Sequence, residues 1–347
     1  MFSNRTEGFD PVAHAYSMVG RTYRASDYYE VGREKIREFA RAVQNRHLVH
    51  WRDDIAAAYG YPGLLAPPTF ASVSGHLAYS EIFPTILRGY DLSQMIQTDQ
   101  MIEYHTTIHE GDRLTFEMCL ESFRQAFGGD LIGLRQVIFN DRDEPVLTSR
   151  TAIVGRSSDD PGLAHTAAES LMPAFTDRER DPRRKNSPRR VDVPTIPGPE
   201  NYWRGAGENV VAVDSLIVGD RLAPRTVRLS KGDLVNYAGV SGDPNPIHWS
   251  EKLAHLMRLE TVVAQGMLTI GLGADYVSSW LGDPGAIRAL NVRFTSPVYV
   301  TETGAEIEFT GRIKAVDPDR SSAIVAIGAK HRGRNVFGRA TATVALR

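Results

Sequence analysis

Cysteine is nearly absent: Cys119 is the only one in 347 residues. A single thiol excludes an internal disulfide and any metal site built from cysteines. It falls in an alternating strand pattern, where a buried, inert thiol is expected. Long apolar runs are missing too. None reaches the roughly 18 residues that span a bilayer, and the opening residues, Met1-Phe-Ser-Asn-Arg-Thr-Glu, lack the apolar core of a secretory signal. Cytoplasmic residence is the expectation. Nor is there a surplus of charge. A formal net charge of −2 gives no argument for a polyanion, so nucleic acid is not an expected partner. What remains, 42% hydrophobic and 24% charged residues, is the composition of a soluble globular protein long enough for two domains.

The chain repeats itself. Phe39-Ala-Arg-Ala-Val-Gln-Asn-Arg-His-Leu-Val-His50-Trp51 aligns with Tyr237-Ala-Gly-Val-Ser-Gly-Asp-Pro-Asn-Pro-Ile-His248-Trp249. Phe39 meets Tyr237, Ala40 meets Ala238, His50 meets His248 and Trp51 meets Trp249. The offset, 248 − 50 = 198, persists: Ala66-Pro-Pro68-Thr-Phe falls on Ala264-Gln-Gly266-Met-Leu. Two copies of one fold unit are expected: residues 1–155 and 207–347. Residues 156–206 carry seven prolines and no periodicity, and Arg178 to Arg190 holds seven basic residues. This stretch reads as a linker that could dock an acidic carrier protein.

Within each copy the order is the same. Gly32 opens a short helix through Phe39, and Ser230-Lys-Gly-Asp233 is a capping box opening its counterpart. Gly239 and Gly242 suit a chain reversal at that helix's end. A buried helix is expected over Pro67–Tyr79 and again over Gly266–Leu281. Period-two runs follow: Leu114–Glu121, Leu131–Phe139 and Val146–Val154 in the first copy. The second has Ala289–Phe294, Ala305–Phe309, Ala323–Ile327 and Ala340–Leu346, with Pro224–Leu229 before its capped helix. One long buried helix against an antiparallel sheet is an α+β layout.

The densest chemistry lies in the stretch from Tyr237 to His248. Asp243 and His248 stand five positions apart, with Pro244, Asn245 and Pro246 between them. Each proline fixes φ and lacks an N–H, so the segment is a stiff loop that holds a carboxylate and an imidazole in fixed relation. General acid–base catalysis needs that arrangement. His76, His105 and His109 are not placed with carboxylates as metal ligands, and no metal is expected.

This stretch closely resembles the hydratase motif of the MaoC-like, (R)-specific hydratase/dehydratase family, and the likeness runs from about Val218 to the C-terminus. Gly32-Arg-Glu-Lys-Ile-Arg-Glu-Phe-Ala and Ala66-Pro-Pro-Thr-Phe make the first copy similar to the partner subunit of the two-subunit (3R)-hydroxyacyl-ACP dehydratases of actinobacterial type II fatty-acid synthesis. The resemblance implies a double hot-dog fold, two curved sheets each wrapping a central helix. It implies a catalytic pair at Asp243 and His248, a motif asparagine at Asn245 and a backbone oxyanion donor at Gly266. It also implies an acyl-CoA or acyl-ACP substrate and no cofactor. Such a chain would be a pseudo-dimeric monomer or a homodimer.

The residues add an asymmetry to that picture. Gly266 can offer an N–H at a helix start, where charge on a thioester oxygen would be stabilised. Its counterpart Pro68 has none. Asp243 can accept a proton from water, and its counterpart Asn45 cannot. One active site per chain is therefore expected, in the second copy. The first copy would supply packing and a wall for the acyl chain. Thioester hydrolysis and a non-catalytic acyl-thioester-binding role stay open beside dehydration.

Overall fold

A computed structural model describes residues 9–90, 95–126, 129–155, 188–192, 209–243 and 245–347, with backbone alone for 74–80. In the first copy, a helix at Pro11–Met18 leads to β1 (Thr22–Arg24) and β2 (Tyr29–Glu30). Helices at Arg33–Ala42 and Asp53–Ala58 precede the first central helix, Ala71–Ile86. Strands β3 (Ile96–Tyr104), β4 (Arg113–Ala126), β5 (Gly129–Phe139) and β6 (Pro145–Gly155) complete this copy. After β7 (Arg189–Val191) the second copy begins with β8 (Arg221–Leu229). Helices at Lys231–Ser241 and Glu251–Leu256 lead to the second central helix, Gly266–Leu281. Then come β9 (Ile287–Phe294), β10 (Ala305–Asp317), β11 (Ser322–His331), β12 (Arg334–Asn335) and β13 (Phe337–Ala345).

The described strands form one antiparallel sheet in the order β7-β1-β4-β5-β6-β3-β9-β13-β11-β10-β8, with β2 beside β4 and β12 beside β11. The two copies meet at β3 and β9, where Asp99 pairs with Arg293, Met101 with Asn291 and Glu103 with Ala289. Equivalent backbone bonds mark equivalent positions. Leu65 bridges to His109 and Val263 to Tyr299. Ala66 N donates to Ile108 O at 2.8 Å, and Ala264 N to Val298 O at 2.9 Å. From the central helices to these strands the offset thus falls from 198 to 299 − 109 = 190. Met101 and Asn291 are then equivalent residues paired with each other, so a pseudo-twofold axis passes between them.

Each half of the sheet wraps its helix. β10 alternates buried and exposed residues over most of its length, one face toward the helix and one toward water. The second central helix is buried at every residue from Leu268 to Ser278, so it is enclosed nearly all round, with Asp275 paired to Arg225. Its glycines permit close approach. A Cβ at Gly273 would touch Phe309 at 3.4 Å, and one at Gly271 would lie 2.8 Å from Val43 Cγ1 of the first copy. The equivalent residues Phe39 and Tyr237 meet across the pseudo-axis with ring centroids 5.9 Å apart.

Several expectations need correcting. The first central helix starts at Ala71, and residues 68–70 form a turn before it. Tyr104 Oη donates to Pro68 O at 2.6 Å, which holds that carbonyl outside the helix. Gly242 makes the reversal after Ser241 with φ 78, whereas Gly239 stays within the helix. The stretch read as linker is not wholly irregular. Arg189–Val191 adds an edge strand to β1, and residues 156–187 and 193–206 lie outside the described residues. Strand β3, at the joint, was not among the expected strands. Cys119 is buried, in β4.

Candidate active site

The capping box forms as its residues dictate. Ser230 Oγ accepts from Asp233 N at 3.2 Å, and Asp233 Oδ2 accepts from Ser230 N at 2.7 Å. The helix so begun ends at Gly242 and delivers Asp243 into the loop. There Asp243 Oδ1 accepts from Asn245 N at 3.0 Å. Asn245 Oδ1 accepts from Ile247 N at 3.2 Å and caps the short 3₁₀ turn Pro246–His248. Asn245 therefore braces both ends of the loop: its amide fixes the carboxylate, and its side-chain oxygen starts the turn that carries the imidazole.

The turn buries His248 with its Nδ1 2.7 Å from Val263 O. A carbonyl can only accept, so Nδ1 carries the proton. In the neutral ring Nε2 is then a free acceptor. It lies 3.6 Å from Asp243 Oδ2. That separation is too long for a direct hydrogen bond, and each atom has a lone pair to offer. Tyr237, in the last turns of the helix and six residues before Asp243, is wholly buried with its hydroxyl 3.2 Å from Ser72 Oγ. Burial raises its pKa, so it stays protonated.

Val263 also links this pair to the second central helix. Three residues after it, Gly266 opens that helix, with Gln265 as N-cap and Gln265 Nε2 bound to Leu234 O of the capped helix at 2.9 Å. Among the described residues nothing accepts from the Gly266 N–H. A free N–H at a helix start is where partial positive charge gathers. Space in front of Gly266 is narrow. A Cβ there would stand 2.7 Å from Gln97 Oε1 and 3.2 Å from the Phe294 ring. Gln97 comes from β3 of the first copy. Sequence reading passed it over, because its strand is distant and its proximity to Gly266 arises only from the β3–β9 pairing.

The first copy shows the same scaffold with other groups on it. His50 Nδ1 lies 2.6 Å from Leu65 O, the bond equivalent to that of His248. Asn45 Oδ1 accepts from His47 N at 2.9 Å. His50 is completely buried, which pushes its pKa down to about 3. No group of three or more His, Cys, Asp or Glu able to hold a metal occurs among the described residues. Nor is any described helix long and apolar enough to cross a membrane.

Comparison with known proteins bears on both halves. Residues 17–149 match the model of the FAS1-like dehydratase domain region, and residues 215–327 that of the MaoC-like domain. A solved MaoC-like dehydratase is 38% identical over 96% of this chain and all of its own, with a TM-score of 0.82. The chain belongs to the MaoC-like dehydratase family. Its two halves are a double hot-dog fold, shared at 17% identity and a TM-score of 0.63 with a Mycobacterium tuberculosis protein, over 94% of this chain and 96% of that one. A UPF0336 protein of Mycolicibacterium paratuberculosis is 37% identical over 160 residues, 46% of this chain and 88% of its own. Another, from Streptomyces avermitilis, is 37% identical over 42% of this chain and 96% of its own. Membership in this dehydratase family supports a hydro-lyase role.

Proposed function

We propose that this MaoC-like dehydratase reversibly dehydrates (3R)-hydroxyacyl thioesters to trans-2-enoyl thioesters, carried on CoA or an acyl carrier protein in the cytoplasm. The observation that carries the reading is the pair of acceptors 3.6 Å apart, Asp243 Oδ2 and His248 Nε2. Two acceptors side by side suit a water molecule, which can give one proton to each from the apex of a triangle. A water held by both protons points its lone pairs outward, ready to attack C3 of an enoyl thioester. One of the pair takes a proton from that water as the C3–O bond forms, and the pair gives a proton to C2, so that the elements of one water add across the double bond and the pair ends with the protons it began with. Dehydration is the reverse: C2 loses its proton and the 3-hydroxyl leaves as water. Negative charge gathers on the thioester oxygen in either direction, and the unpaired Gly266 N–H is the donor suited to it. The Val263 carbonyl sets the imidazole tautomer that makes Nε2 the base.

Hydration of crotonyl-CoA, followed by loss of enoyl absorbance, tests this directly. The wild-type protein is expected to turn over, and Asp243→Asn to lose activity while retaining its melting temperature. A wild-type protein inert toward short and long trans-2-enoyl-CoA would defeat the reading. Release of free thiol from acyl-CoA would redirect it toward hydrolysis.

A further inference from the structure

A partly buried polar network, with Gln100 at its buried centre, lies in the first copy and ends at the second copy's site. Gln97 Nε2 donates to Gln100 Oε1 at 2.6 Å, and Thr151 Oγ1 donates to the same oxygen at 2.8 Å. Gln100 Nε2 donates to Ser149 Oγ at 2.6 Å and to Met101 O at 3.1 Å. The last bond fixes every orientation in the set. A backbone carbonyl accepts only, so Gln100 must turn its NH₂ to Met101 and its oxygen to Gln97. Gln97 must then give its NH₂ to Gln100, and its own oxygen is left facing Gly266.

The network exists on one side only. With the offset of 190, Gln97 and Gln100 of β3 correspond to Ile287 and Leu290 of β9. Because Gln100 pairs with Thr151 and Ile102 with Ser149, while Leu290 pairs with Ala342 and Val292 with Ala340, Thr151 and Ser149 correspond to Ala342 and Ala340. All four counterparts are buried and apolar. Burying polar groups is unfavourable unless each is paired, so an apolar layer is the simpler way to fill this joint. The second copy fills it so. The polar version, on β3 and β6 of the first copy, stands beside Gly266; the apolar version, on β9 and β13, belongs to the second copy.

A carbonyl oxygen beside an oxyanion donor would repel the developing charge unless it is itself bonded to a donor. The acyl part of an enoyl thioester has neither N–H nor O–H. Beyond the sulfur, a CoA or carrier-protein arm does have an amide N–H two carbons away. We infer that Gln97 is a specificity residue, whose Oε1 accepts the first amide N–H of a cysteamine-type thioester arm while Gly266 N–H takes the thioester oxygen. The first copy thereby reads the carrier for the second. This rests on the thioester reading given above.

Two thioesters of the same acyl group separate the alternatives: crotonyl-N-acetylcysteamine, which has the amide, and crotonyl S-butyl thioester, which does not. Wild-type protein should favour the first in kcat/KM by up to about tenfold, the worth of one hydrogen bond. Gln97→Met keeps the length and removes the acceptor. It should lower kcat/KM for the amide-bearing substrate by a similar factor and change the S-butyl substrate less than about twofold. Equal losses on both, or on neither, would overturn the inference, and so would a wild-type protein indifferent to the amide. Those outcomes need activity on both thioesters, so they leave the dehydratase reading standing. Inactivity on both would remove that reading first.

Discussion

The two copies hold their histidines in the same way and do different things with them. His50 and His248 each sit on a 3₁₀ turn and point Nδ1 at a carbonyl fifteen residues on, Leu65 O at 2.6 Å and Val263 O at 2.7 Å. Among the differences between them, three bear on the chemistry: Asn45 for Asp243, Pro68 for Gly266 and His47 for Asn245. Around His50 the result is closed. Its Nε2 and Asn45 Nδ2 are buried without a partner among the described residues, and Tyr104 anchors the Pro68 carbonyl. At the position of Tyr104 the second copy has Phe294, whose ring lies beside Gly266, and the Gly266 amide has no acceptor among the described residues. A conserved-looking imidazole thus says little. The group it faces, and the amide at the helix start, decide whether chemistry is available.

The largest expected effect comes from making the second copy like the first. Asp243→Asn should lower kcat for enoyl-thioester hydration by about a hundredfold or more, the usual worth of an acid–base group. The melting temperature should move little, since Asn45 shows that the loop accepts an amide there. Gly266→Pro carries the conversion to the helix start and deletes the proposed oxyanion donor. A loss on the order of a hundredfold in kcat is expected. Gly266→Ala is the control, because it adds a Cβ against Gln97 Oε1 but keeps the N–H. Alanine should retain more activity than proline. If both variants are equally poor, steric exclusion accounts for the loss and the donor role of Gly266 is wrong.

Much of this was legible because local signals agreed with the fold. The capping box at Ser230 and Asp233 formed as read, and the central helix runs from Gly266 to Leu281, bounded by a free amide and Gly282 at φ 96. The loop between Asp243 and His248 was readable because prolines and an asparagine leave a chain few conformations. Failures came where distant segments decide. Pro68 looked like a helix start, but its carbonyl is taken by Tyr104, 36 residues on. The joint strand β3 was missed because its residues mix polar with apolar. One of its two neighbouring strands belongs to the other copy. Gln97 stands 169 positions from Gly266 (266 − 97 = 169), and only the pseudo-twofold axis brings them together.

Reversing the conversion should not create a second site. Asn45→Asp places a carboxylate in a fully buried position, where burying a charge without a cationic partner is costly. Destabilisation of about 3 kcal/mol is expected, read as a lower urea midpoint. No gain in hydration rate should follow, because Pro68 still offers no N–H. A variant that regained activity in an Asp243→Asn background would show that the first copy's closure is not what silences it.

The smallest effect concerns acid stability, and it sets His50 against His248. His50 titrates near pH 3 when folded, because burial opposes its charge, and near 6.5 when unfolded. Between those values the unfolded chain binds the extra proton, so stability is full above about pH 6.5 and declines as pH falls toward 3. At pH 5 the loss from this one group is about 2 kcal/mol. His50→Gln deletes the titration while keeping an N–H for the Leu65 carbonyl. Urea midpoints measured from pH 7 to pH 5 should therefore fall less steeply for the variant than for the wild type, whatever the carboxylates contribute to both. Parallel slopes would mean that water reaches His50 and that the first copy is as open as the second.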